Sequence, residues 1–221
     1  MQKKRDSLMW NEEWQMRNAM VRHGYSLFIR GYGGGASGNM SLRLPDGSFL
    51  VTPTGVSLGR LEADALSKLD PDGTLFCGPP PTKEVFMHMA CYAANPDCQA
   101  VVHLHSPRAT ALSCLAGLNP ENCLPPITPY FVMRIGRLAL APYCRPGSPE
   151  IAEHIARLMP GRTAVLLANH GPVVCGKSLE DAVNNAEELE ATADLYFTLH
   201  GRPTRLLLPE ECAELLAPRN T

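Results

Sequence analysis

Residues 100–105, Ala-Val-Val-His-Leu-His, constrain this chain more than any other segment. An apolar lead runs into two histidines spaced by one, and Ser106-Pro107 follows. The pattern predicts a buried strand over Ala100–His105. Alternate side chains of a strand share a face, so His103 and His105 point the same way. Two imidazoles on one face can chelate a single metal ion. The competing reading is a pair of core histidines, which is costly to bury unless each finds a partner.

The elements around this strand alternate. The first ~30 residues predict a helix, with Trp10, Trp14, Met20 and Leu27 as buried candidates and the glycine-rich run 31–35 as its stop. Asn39–Leu44 and Ser48–Thr52 predict two strands joined by the turn Pro45-Asp46-Gly47. Thr82–Ala94, Arg108–Leu115 and Ser148–Met159 predict helices. Thr163–Ala168 predicts a strand, and Pro172–Cys175 a further one. Ser178–His200 is the clearest helix. Ser178 is its cap and Asp181 completes a capping box. Its apolar stripe is Leu179, Ala182, Val183, Ala186, Leu189, Ala193, Tyr196 and Phe197, and Gly201 and Pro203 end it. Interleaved helices and strands with a hairpin near the front make an α/β chain. The Pro-rich stretches at 78–81 and 124–126 are loop punctuation, so 1–221 reads as one domain.

Composition removes several function classes. Twenty Lys+Arg against 22 Asp+Glu leave a net charge of −2, without the basic excess of a dedicated nucleic-acid binder. No apolar run reaches the ~18 residues of a membrane span. Asn11, Glu12 and Glu13 stand where a signal peptide would place its apolar stretch, so the expected location is cytoplasmic. None of the eight cysteines forms a C-x-x-C pair, and buried reduced thiols are expected, Cys91 and Cys114 among them.

Further chemistry gathers around the histidine pair. Asn169-His170-Gly171 ends the strand at 163–168 and offers a third imidazole. Three histidines with an open position form a common catalytic zinc arrangement. Thr82-Lys83-Glu84 is expected to open a helix, where amides and a hydroxyl can bind an anion. His88 reads as a packing or supporting residue rather than a ligand. The run 33–38 satisfies G-x-G-x-x-G, but it lies between a helix and a strand, the reverse of a dinucleotide fold. It survives as an amide loop for a phosphate, as does the small polar turn at 52–55. Residues 171–178 match G-x-x-x-x-G-K-S, yet Pro172, Val173 and Val174 suit a strand better than a phosphate loop.

Six pieces in order resemble the class II aldolase/adducin family: Gly-Ala-Ser-Gly-Asn-Met-Ser (35–41), Val-Thr-Pro-Thr-Gly (51–55), Pro-Thr-Lys-Glu (81–84), Val-Val-His-Leu-His (101–105), Ala-Asn-His-Gly (168–171) and the long helix after it. The resemblance implies a three-layer α/β fold with a central, mostly antiparallel sheet flanked by helices. It implies His103, His105, His170 and Glu84 as ligands of one Zn2+ per subunit, a site that also suits Mn2+ or Co2+. Glu84 would leave the metal to act as acid/base. Asn39, Thr54, Gly55, Thr82 and Lys83 match phosphate-binding positions, with Thr82 and Lys83 standing where related aldolases carry serines. Tyr130 lies near a tyrosine that the aldolases draw from a neighbouring subunit of a tetramer.

The triple glycine, Pro-Thr-Lys-Glu and residues 129–136 are most similar to the branch that decarboxylates 3-oxo-tetronate 4-phosphates. That implies loss of CO2 through a metal-stabilised enediolate to give dihydroxyacetone phosphate. Arg134 and Arg145 are candidate cations for the departing carboxylate. The alternatives are a sugar-phosphate aldolase sharing the same residues and a non-catalytic, adducin-like assembly domain.

Overall fold

The structure, a computed structural model, describes residues 2–217, with their side chains from residue 11 onward. Helix α1 (Gln2–Ile29) leads into the hairpin of β1 (Asn39–Arg43) and β2 (Phe49–Val51). Strands β3 (Ser67–Leu69) and β4 (Leu75–Cys77) extend it. Then come α2 (Val85–Ala94), β5 (Ala100–His103), α3 (Pro107–Ser113), α4 (Pro129–Arg134), β6 (Ala139–Ala141) and α5 (Glu150–Leu158). Strands β7 (Ala164–Leu167) and β8 (Gly171–Gly176) precede α6 (Leu179–Leu199) and α7 (Pro209–Leu216). One sheet takes the order β4-β3-β2-β1-β5-β8-β7-β6. Every pairing is antiparallel except β6 with β7. This is the α/β fold that the interleaved pattern implied.

Alternation along the strands sorts the core into two layers. Met40, Leu42, Val102, Leu166 and Val174 pack with α1, α3 and α6 on one face. Val101, Val165, Val173 and Cys175 pack with α2 and α5 on the other. His103 shares the parity of Val101 and therefore faces the α2 layer. β5 is central and its neighbours run against it. The end of β5 thus meets the beginnings of β1 and β8, with Asn39 opposite His103 and His103 opposite Val173.

Several expectations shift. Met20 and Leu27 are buried, but Trp14 is 50% exposed. The buried stripe of α1 runs Arg17, Met20, Gly24, Leu27, and Trp14 falls to its side. A Cβ at Gly24 would stand 2.9 Å from Leu58 O, so only glycine fits there. Trp10's side chain lies outside the described residues. Cys77 and Cys114 are exposed, the latter against expectation, while Cys91, Cys98, Cys123, Cys144 and Cys175 are buried and all are free. The Ser178 hydroxyl caps α6 by accepting from Asp181 N–H. Asp181 does not complete the box: its carboxylate accepts from Lys177 N–H at 3.0 Å, one residue before the cap. Residues 171–176 are a buried strand, which disposes of the phosphate-loop pattern. A Cβ at Gly176 would lie 2.1 Å from Ala182 N, so that glycine serves the close contact of β8 with α6. No helix among the described residues is long and apolar enough to cross a membrane.

Candidate active site

β5 stops at His103, two residues earlier than the sequence pattern suggests. His105 nevertheless turns to the same side, and its Nε2 lies 3.1 Å from that of His103. The ladder fixes His103: its Nδ1–H donates to Pro172 O at 2.9 Å, which leaves the Nε2 lone pair bare. Beyond the ladder the chain passes from His105 into α3 within two residues. The next helix, α3, has its first amides capped by a buried carboxylate, Glu190, which accepts from Arg108 N and Ala109 N at 2.8 Å each. Sequence reasoning missed Glu190. Its signal was a carboxylate three residues before Ala193, on the apolar stripe of α6. Glu190→Ala strands both amides, and we expect a loss of about 2 kcal/mol in urea unfolding. Glu190→Gln, which keeps one acceptor, should lose about half as much.

His170 sits between β7 and β8. Asn169 takes a left-handed conformation at φ 56° to turn the chain, one that asparagine tolerates. Ser113 anchors the turn, accepting from Asn169 N at 3.0 Å through its carbonyl and from His170 N at 3.2 Å through its hydroxyl. Gly171 then lets β8 approach the β5 backbone. A Cβ there would stand 2.4 Å from Leu104 O. Backbone meets backbone, so neither side can yield. We expect Gly171→Ala to cost about 3 kcal/mol in denaturant unfolding.

The three imidazole rings stand nearly perpendicular to one another, with centroids 5.0, 4.8 and 4.8 Å apart. One nitrogen from each lies within 4.8 Å of the others, a group that could hold a metal ion. Glu84, the residue before α2, reaches across it. Its Oε2 is 3.5 Å from His103 Nε2 and its Oε1 3.4 Å from His170 Nε2. Donors bound to one ion at about 2.0–2.2 Å in a tetrahedron stand roughly 3.3–3.6 Å apart, so these residues fit a divalent ion. Burial pushes the His103 pKa well below its ordinary 6.5, with repulsion from His170 and His105 adding to it. Burial lowers His105 and His170 too, while Glu84 pulls His170 back up. Neutral imidazoles are what a metal requires.

The expected phosphate residues come together beside this group, although α2 begins at Val85 and not at Thr82. Thr82 is held instead by a short backbone ladder. Thr82 N donates to Thr52 O and Thr54 N to Pro80 O, both at 3.0 Å, around a bridge between Pro53 and Pro81. That ladder sets Thr54-Gly55 alongside Thr82-Lys83, and Thr54, Gly55 and Lys83 are exposed. Thr52 ties it to β1 by donating its N–H to Met40 O at 3.0 Å. Asn39 is buried, and its amide already serves Glu84 and His88. In the glycine loop, Ser37 N–H turns back to Gly34 O, and Gly38 packs on the His103 carbonyl. Tyr130 is 64% exposed on α4, and no hydrogen bond among the described residues ties it to the histidines. Arg134 donates to Asn185 at 3.1 Å and pairs with Asp181. Those partners lie past the far end of β8, away from the histidines of the same protomer. Arg145 is exposed in the loop after β6.

His88 is fully buried, and burial depresses its pKa to about 3. His88 and His103 thus both titrate below the unfolded value near 6.5. Below that pH the unfolded chain takes up protons that the folded chain refuses. Stability is complete above about pH 6.5 and falls with acidification, by about 1.4 kcal/mol per pH unit for each such histidine. Urea unfolding between pH 7 and 4.5 in chelator checks this, and His88→Gln should flatten the slope by about one proton.

The profile of the Class II Aldolase and Adducin N-terminal domain matches residues 18–197. The chain belongs to that family. It is 54% identical over 203 residues to a 3-oxo-tetronate 4-phosphate decarboxylase of Escherichia coli K12, covering 92% of this chain and 96% of the relative. It is 37% identical over 186 residues to the L-fuculose phosphate aldolase of the same organism, covering 82% and 83%. The crystal structure of YgbL from Escherichia coli superposes with a TM-score of 0.91 at 53% identity, covering 93% of this chain and 99% of that one. Within the family the chain is an enzyme of the decarboxylase and aldolase lyases.

Proposed function

We propose that the chain decarboxylates a 3-oxo-tetronate 4-phosphate to dihydroxyacetone phosphate and CO2, using one divalent ion, Zn2+, held by His103, His105, His170 and Glu84. The observation that carries this reading is Glu84 poised within 3.5 Å of two of three converging, neutral imidazoles. Likeness to the decarboxylases favours this reaction over retro-aldol cleavage. The ion, when bound, would supply Lewis-acid stabilisation of the enediolate left when CO2 departs.

The chain's own residues do the rest. Thr54, Gly55, Thr82, Lys83 and the remaining N–H of Asn39 would hold the phosphate and so fix which carbon faces Glu84. The bond from C1 to C2 breaks and its electron pair stays on C2. Glu84, displaced from the histidines by substrate, takes up the one proton that the reaction consumes from solvent and delivers it to C2 as general acid. The buried walls behind His103 keep water from that carbanion. Tyr130, exposed on its own protomer, would serve the site of a neighbouring copy in a homotetramer of single-domain subunits.

The test begins with protein purified without added metal. About one zinc per chain and CO2 release from 3-oxo-tetronate 4-phosphate are expected. Cleavage of L-fuculose 1-phosphate without CO2 release would assign the aldolase reaction instead. No metal uptake at all would sink the mechanism.

A further inference from the structure

Behind Glu84, buried polar side chains run in line between α2 and β1. Glu84, His88 and Tyr92 succeed one another every four residues, steps of about 6 Å along a helix. Asn39, Ser41 and Arg43 face them every two residues, steps of about 6.6 Å along a strand. The two repeats stay in step over this length, so each helix residue finds a strand partner. Asn39 Nδ2–H donates to Glu84 Oε2 at 2.8 Å, and Asn39 Oδ1 meets His88 Nε2. Ser41 Oγ lies 2.8 Å from His88 Nδ1 and 2.7 Å from Tyr92 Oη. The guanidinium of Arg43 covers the Tyr92 ring at 5.1 Å. Asn39, Ser41, His88 and Tyr92 are all buried.

Only one set of proton positions satisfies every member. An ionised Glu84 can only accept, so Asn39 must present its N–H there and its oxygen to His88. His88 must then carry its proton on Nε2, which leaves Nδ1 to accept the Ser41 hydroxyl. Ser41 in turn accepts from Tyr92. Turning the Asn39 amide over would aim its oxygen at the Glu84 carboxylate and its N–H at the Nε2–H of His88. Both contacts would repel.

We propose that His88 is a positioning residue: as the Nε2–H tautomer, it locks the Asn39 amide so that a donor, and never an acceptor, faces Glu84. The inference rests on the reading of Glu84 as a residue of the metal centre. Glu84 has no cap or ladder of its own to fix its carboxylate, since its place before α2 carries no side-chain cap bond. The line from Tyr92 to Asn39 supplies that constraint from behind. The depressed basicity of His88 keeps it neutral, with one nitrogen donating and one accepting.

Two readouts test this without substrate. In metal-free protein labelled with 15N-histidine, His88 should show a protonated Nε2 and a bare Nδ1. In Co2+ titrations, His88→Gln, whose amide N–H takes the place of Nε2–H, should bind within about threefold of wild type, and His88→Phe about 10–100-fold more weakly. A merely structural His88 would lower the stability of both variants and leave their Co2+ affinities alike. The Nδ1–H tautomer in wild type, equal Co2+ affinities of the folded variants, or a Gln variant weakened tenfold or more overturns the proposal. If His88→Phe does not fold, the tautomer and the Gln variant decide alone. Both readouts hold whichever phosphorylated substrate is turned over, so a failed CO2 assay and a failed positioning role are told apart.

Discussion

Glu84→Gln is expected to fold as wild type, to bind its metal more weakly yet still fill the site when metal is supplied, and to lose turnover by about a hundred- to ten-thousandfold. Glutamine keeps the shape and can still accept a hydrogen bond from Asn39 Nδ2, now at 2.8 Å from Glu84 Oε2. It cannot hold or release a proton near neutral pH. Three imidazoles remain to hold the ion, so loss of activity would separate from loss of metal. The measurements are metal per chain and CO2 released under saturating substrate, side by side. Near-normal turnover would remove Glu84 from the proton-transfer role. Turnover lost together with all metal would make it a ligand first.

His103→Ala should abolish the centre altogether. His103 has no exposed surface, stands on the central strand and spends its Nδ1–H on Pro172 O. Alanine removes one of three converging nitrogens and leaves a cavity, with the Pro172 carbonyl keeping only Leu104 N–H at 3.3 Å. Metal content should fall from about one per chain to near zero after dialysis against a weak chelator. Metal-free stability should fall by about 2–3 kcal/mol. His105→Ala gives the contrast. His105 is half-buried beyond the ladder, so metal should be lost with a smaller drop in stability. A His103→Ala protein that still holds one tightly bound ion per chain would place the metal elsewhere.

The centre was legible where local pattern and geometry coincide. His103-x-His105 on an apolar strand shows its chemistry directly, and so does the hairpin around Pro45-Asp46-Gly47. The strands β3, β4 and β6 were not legible. Each is three residues long, too short for an alternation to register. Lys68 in β3 is turned inward by Glu13 of α1, at 2.8 Å, a partner 55 positions away that no window can see. The short helix α4 was not legible either. It depends on Pro129 in its first turn and on the Thr128 hydroxyl accepting from Phe131 N–H. Thr82 and Lys83 read as helix in the sequence because prolines precede them and a helical run follows. A backbone pairing with Thr52 claims Thr82 first. Glu190 was hidden for the opposite reason: its position looked like core, and its task lies on another helix.

The ladder from β1 through β5 to β8 joins residues that are far apart in the chain, with Asn39 opposite His103 and His103 opposite Val173. Such pairings bear a loop-closure cost before any contact repays it, so they form late. During synthesis at about 5–20 residues per second, His170 emerges roughly 3–13 s after His103. Throughout that interval the nascent chain carries Glu84, His103 and His105 but lacks His170, the third imidazole of the centre. An ion met during those seconds finds at most Glu84, His103 and His105 of the centre's four residues. The complete centre is therefore a late product of folding, formed only when β8 docks against a strand made more than sixty residues before it.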